Sequence, residues 1–126
     1  MIIGIGTDIV AVERIQDSLQ RLGEAFAKRL LTDSEFAEYQ QRGNKPAFLA
    51  KRFAAKEAAV KALGTGFAES ITWKQVNIHN DEKGAPVLTL TGKALERATL
   101  LGVTRVHLSI SDEKHHAVAF VIMENQ

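Results

Sequence analysis

The chain has 126 residues, of which 45% are apolar and 25% charged, with no cysteine and a formal net charge of +1. That size and composition suit one globular domain spanning residues 1–126, with a core small enough that association with other copies would aid stability. The missing cysteines exclude disulfides, thiolate zinc sites and a cysteine nucleophile, and fit a cytoplasmic setting. The opening Met1-Ile2-Ile3-Gly4-Ile5-Gly6 carries no basic leader, and no apolar run approaches the roughly 20 residues of a membrane span.

Ile3, Ile5 and Ile9 alternate with Gly4, Gly6 and Asp8, which predicts a first strand with two glycines and a carboxylate on one face. That bare face reads in two ways: open space beside a bound ligand, or close approach of a neighbouring helix. Val12, Ile15, Leu19 and Leu22 then recur at helical spacing, Gly23 stops the helix, and Arg14, Ser18 and Arg21 fall on its exposed side. A short helical piece is expected over residues 26–31. Thr32-Asp33-Ser34-Glu35 is a capping box that opens another short helix ending near Gly43. Pro46 suits the first turn of the main helix, which runs to about Leu63 with Gly64 as its cap. Its alanines at 54, 55, 58, 59 and 62 favour helix and permit close packing.

Residues 73–79 read as a strand, Asn80 to Gly84 as a turn, and Val87 to Leu90 as the hairpin partner. A helix follows from about Gly92 to Leu101, closed by Gly102. Val106, Leu108 and Ile110 alternate with His107, Ser109 and Ser111 in a strand with one apolar and one polar face. After a turn at residues 112–115, Ala117 to Met123 is apolar on both faces and reads as a central, buried strand. The order indicates an α+β fold, with helices packed on a mainly antiparallel sheet.

Residues 41–61 carry Arg42, Lys45, Lys51, Arg52, Lys56 and Lys61 against Glu57 alone. Such a run is either a solvated helix face or a basic surface for a polyanion or an acidic partner. Glu57 and Lys61 are four residues apart, about 40° around a helix. As an exposed ion pair they would contribute about 0.3–0.5 kcal/mol. Asp8 could cap the helix that follows it. Should the fold bring Asp8 beside Glu57, two hard oxygen ligands would face a cation, with Lys61 one turn further along. That is the minimal apparatus for gripping a magnesium-bound pyrophosphate. His107 is a surface histidine or a phosphate contact. His115 and His116 lack a third ligand nearby in sequence, which argues against zinc. Gly64-Thr65-Gly66 ends a helix rather than opening one, so it is no Walker loop. Gly4-Ile5-Gly6 lacks the third glycine of a dinucleotide fingerprint, and no serine nucleophile elbow is present.

Three segments together resemble the three motifs of the 4′-phosphopantetheinyl transferases. They are Gly6-Thr7-Asp8-Ile9-Val10, then Arg52-Phe53-Ala54-Ala55-Lys56-Glu57-Ala58-Ala59-Val60-Lys61-Ala62, then Val106-His107-Leu108-Ser109-Ile110-Ser111-Asp112. The resemblance spans essentially the whole chain, and its short length and Gly64-Thr65-Gly66 are similar to the compact bacterial branch. It implies that family's fold, and transfer of the 4′-phosphopantetheine group of coenzyme A to a serine of apo acyl carrier protein, in support of fatty acid biosynthesis. It further implies that Asp8 and Glu57 bind Mg²⁺ and that Glu57 and Lys61 are catalytic. Lys45, Arg52, Lys61, Gly64 and His107 would hold coenzyme A, and the assembly would be a homotrimer. The implied carrier is acidic, so Arg14, Arg21, Lys28 and Arg29 are expected to form its docking face. Two other readings stand beside this one: a basic module binding nucleic acid or acidic proteins, and a structural oligomer subunit. A phosphate-binding surface has no use for Glu57 unless a metal sits there.

Overall fold

The computed structural model describes residues 1–126. Strand β1 (Ile2–Ala11) leads into helices α1 (Val12–Leu22), α2 (Glu24–Leu30), α3 (Asp33–Gln40) and α4 (Lys45–Leu63). A 3₁₀ turn at Trp73–Gln75 precedes the hairpin of β2 (Val76–Asn80) and β3 (Pro86–Leu90). Helix α5 (Gly92–Leu101) and the hairpin of β4 (Arg105–Asp112) and β5 (His116–Glu124) complete the chain. The expected α+β class holds, with every strand pairing antiparallel.

Local chemistry sets the helix limits. Gly23 adopts φ 70° and its N–H returns to the Leu19 carbonyl, ending α1. The Thr32 side chain accepts from the Glu35 N–H while the Thr32 N–H donates to Glu35 Oε1 at 2.8 Å, closing the capping box of α3. Asn44 caps α4 at its start and Gly64, left-handed at φ 81°, ends it.

The strands form two sheets rather than one: β1-β5-β4, and β2-β3 apart from it. Helix α4 lies across one face of the larger sheet and supplies much of the core. Leu49, Ala54, Ala55, Ala58, Ala59 and Val60 are fully buried in it.

Two further expectations change, and one open reading is decided. Residues 73–75 are 3₁₀ rather than strand, because Trp73 turns to pack on Phe53 and Phe67. Strand β5 is central but buried on one face only. Ala117, Ala119, Val121 and Met123 face α4, whereas Val118 and Phe120 are 36% and 41% exposed, because no element covers the sheet's other side. The glycine face of β1 is not open space. A Cβ on Gly4 would lie 2.0 Å from the Ala62 carbonyl oxygen, and one on Gly6 would lie 1.8 Å from that of Ala58. The glycines let α4 sit directly on the strand.

Candidate active site

Strand alternation puts Asp8 on the same face as Gly4 and Gly6, opposite the buried Ala119. Close packing of α4 on that face therefore brings the C-terminal half of the helix over the carboxylate. Lys61 Nζ donates to Asp8 Oδ1 at 3.0 Å and to the Thr7 carbonyl at 3.0 Å. The Asp8 side chain is 16% exposed and that of Lys61 51%, so the pair lies at the protein surface. The capping reading of Asp8 fails, since α1 starts after Ala11 with no side-chain cap.

Glu57 stands one helical turn before Lys61. Burial pushes its carboxyl above the ordinary carboxylate range, and the negative charge of Asp8 pushes it further; Lys61 and Arg14 pull the other way. Asp8, Glu57, Lys61 and Arg14 thus converge from β1, α4 and α1. A cation between the two carboxylates would offset the repulsion that Glu57 feels from Asp8. No third carboxylate or histidine completes a protein-only cage. The donor set therefore fits Mg²⁺, which takes one or two carboxylates and completes its shell with phosphate oxygens and water.

Gly64 forms the left-handed end of α4, and beside it Arg97 Nε donates to the Leu63 carbonyl at 3.1 Å. Lys45 Nζ donates to the Arg42 carbonyl at 2.9 Å, at the far end of α4. Arg52 does not present a free guanidinium. It is buried over the Phe48 ring, donates to the Ile78 carbonyl and to Glu38 Oε2, and lies 3.6 Å from Glu35. Its edge still helps line a cleft of about 180 Å³, together with Arg42, Lys51, Asn80 and Pro86. That cleft also touches Ile110 and Asp112 of β4, whereas Asp8 lies on β1 at the opposite edge of the sheet. His107 pairs with Ile122 on the face turned away from α4, and its Nε2 lies 2.9 Å from Glu124 Oε2. One chain therefore does not bring His107 or the cleft to Asp8.

Arg14 and Arg21 are exposed on α1, and Lys28 and Arg29 on α2, while Ser18 is half-buried. Arg14 also covers the Phe53 ring at 5.4 Å, which ties the expected docking face to the carboxylate pair.

The basic run over 41–61 is less of a surface than its sequence suggests, because Lys56 joins Arg52 in the interior. Lys56 is fully buried and bonded to Glu35 at 2.6 Å. Sequence reasoning missed this pair. Its one signal was the apolar surroundings of Lys56, between Phe53, Ala55, Ala59 and Val60 on one helical face.

Residues 4–121 match the 4′-phosphopantetheinyl transferase superfamily. The holo-[acyl-carrier-protein] synthase of Aliivibrio fischeri is 56% identical over 98% of both chains. Among solved structures, the holo-[acyl-carrier-protein] synthase of Neisseria meningitidis is 44% identical with a TM-score of 0.92, covering 99% of this chain and 100% of that one. The Bacillus anthracis synthase, in complex with CoA (3′,5′-ADP), is 36% identical with a TM-score of 0.83, covering 100% and 99%.

Proposed function

The chain belongs to the 4′-phosphopantetheinyl transferase superfamily, among its holo-[acyl-carrier-protein] synthases, and we propose that it transfers the 4′-phosphopantetheine group of coenzyme A to a serine of apo acyl carrier protein. One observation carries the site assignment: Asp8 and Glu57, distant in sequence, are brought together where α4 packs on β1, with Lys61 Nζ 3.0 Å from Asp8 and the Asp8 charge helping to raise the Glu57 carboxyl.

The serine Oγ attacks the β-phosphorus of coenzyme A. A new P–O bond forms and the bond from that phosphorus to the bridging oxygen breaks, so adenosine 3′,5′-bisphosphate leaves. Asp8 and Glu57 would hold Mg²⁺, whose charge offsets that building on the departing phosphate oxygen. Lys61, half-exposed at the mouth of the site, is suited to hold the pyrophosphate as a point charge. Glu57 is assigned as the general base that takes the serine proton. Lys45, Arg52, Gly64 and His107 are assigned to the remaining phosphates of coenzyme A. The cation-lined cleft at Arg42, Lys51 and Arg52 supports a 3′-phosphate seat.

The expected homotrimer has two supports. Ile5 and Ile9 are 55% and 64% exposed on the uncovered face of the larger sheet, next to Val118 and Phe120. In addition, the cleft and His107 lie away from Asp8 in one chain, so His107 of the partner subunit could complete the site. The whole chain then acts as a single domain, in the cytoplasm, supplying holo carrier to fatty acid biosynthesis. Arg14, Arg21, Lys28 and Arg29 form the face for the acidic carrier.

The test is mass spectrometry of apo acyl carrier protein incubated with this protein, coenzyme A and Mg²⁺. A gain of one phosphopantetheine group on the carrier, lost with a chelator, supports the reading. An unmodified carrier removes it.

A further inference from the structure

We propose that Lys56 is a positioning residue that clamps the carrier-docking segments to α4, so that Arg14 is held beside Glu57. The inference rests on the transferase reading above.

Lys56 is fully buried, and its ammonium has three donors, all engaged. They go to the Leu30 carbonyl at 2.8 Å, Glu35 Oε1 at 2.6 Å and the Trp73 carbonyl at 3.0 Å. A buried ammonium is expensive to desolvate, and an apolar side chain of the same volume would pack as well. Packing alone therefore does not account for a lysine here. What the ammonium does is join three separate segments: the end of α2, the first turn of α3 and the 3₁₀ turn at Trp73. All three acceptors converge on this nitrogen.

Two lines of contact lead from it to the reacting groups. The Trp73 ring stacks on Phe53 at 5.1 Å between centroids, and on Phe67 at 3.9 Å. The Phe53 ring carries the Arg14 guanidinium at 5.4 Å, and Phe53 lies one turn before Glu57 on the same face of α4. Holding Trp73 by its carbonyl thus holds the aromatic wall on which Arg14 rests. Through Leu30 the same ammonium tethers α2, which bears Lys28 and Arg29 and packs against α1.

The clamp shares Glu35 with Arg52, which lines the cleft one helical turn earlier on α4. Arg52 keeps its own bonds to the Ile78 carbonyl and to Glu38. Without Lys56, Glu35 retains the N–H groups of Thr32 and Ile78 and the Arg52 guanidinium at 3.6 Å. Its charge is not left alone.

Two variants test the proposal. Lys56→Met keeps the volume and removes the ammonium. Trp73→Leu keeps the ammonium and removes the stack. Steady-state kinetics, varying each substrate with the other saturating, should show the carrier KM raised about tenfold or more in both, with the coenzyme A KM within about twofold of wild type. A purely structural role predicts loss of folded protein, or damage shared by both substrates. Either a wild-type carrier KM in a folded variant or an equal rise in both KM values overturns the proposal. Should Lys56→Met fail to fold by circular dichroism, Trp73→Leu decides alone. Failure of the transferase reading looks different, since the wild-type protein would then transfer nothing.

Discussion

Gly6 touches the Ala58 carbonyl so closely that no side chain fits between them: a Cβ at position 6 would lie 1.8 Å from that oxygen. The obstacle is helix backbone, which cannot rotate aside. Gly6→Ala must push α4 away from β1, and the same movement separates Asp8 from Glu57. Denaturant unfolding should show a loss of about 3 kcal/mol, at the upper end for an overpacked core. Transfer activity should fall by more than the folded fraction does. A Gly6→Ala protein with wild-type stability would contradict the close packing.

Glu57 should be sensitive in two separate ways. Glu57→Gln removes the proton acceptor and one metal ligand, and should lower the transfer rate by about 10³-fold. Its effect on stability has the opposite sign. Burial and Asp8 raise the carboxyl in the folded state, so folding favours the protonated form. The stability this gives is present below the ordinary carboxylate pKa and is lost as pH rises through the raised value. In chelator at neutral pH, Glu57→Gln should therefore melt above wild type, and the gap should close as pH falls through that window. A variant that melts below wild type at every pH would count against the Asp8–Glu57 juxtaposition.

The fold was largely legible in the sequence because its punctuation is local. Gly23 and Gly64 ended their helices where left-handed backbone was needed, and the Thr32–Glu35 box opened its helix as read. Asp8, Glu57 and Lys61 were legible as candidates because strand and helix periods assign each to a face. What the sequence concealed depends on distant neighbours. Gly4 and Gly6 admitted a ligand or a helix, and only the position of α4 decides between them. Lys56 and Arg52 counted as surface cations until Glu35 arrived from another helix to neutralise them. The exposure of Val118 and Phe120 followed from what is absent above the sheet, which no pattern within β5 records.

The basic face of α1 gives a prediction about the carrier. Arg14 and Arg21 are exposed and lie two helical turns apart. Reversing both to glutamate should raise the carrier KM by about tenfold or more, with an effect that shrinks as salt is added, and should leave coenzyme A binding near wild type. Binding of both substrates weakened alike would argue against a docking role.

The uncovered sheet face bears on assembly. Ile9 and Phe120 are 64% and 41% exposed there, a liability in an isolated chain. Light scattering should find three copies in the wild-type assembly and a single copy for Phe120→Asp, with activity lost on dissociation. A monomeric wild-type protein that is fully active would exclude a role for the partner subunit.

The most direct measurement is Mn²⁺ binding, followed by its paramagnetic resonance, with and without coenzyme A. One ion should bind tightly when coenzyme A is present. Asp8→Asn and Glu57→Gln should each weaken it by about 10²-fold, whereas Asp112→Asn, at the cleft on the opposite sheet edge, should not. An ion that binds both carboxylate variants as tightly as wild type would show that Asp8 and Glu57 do not share it.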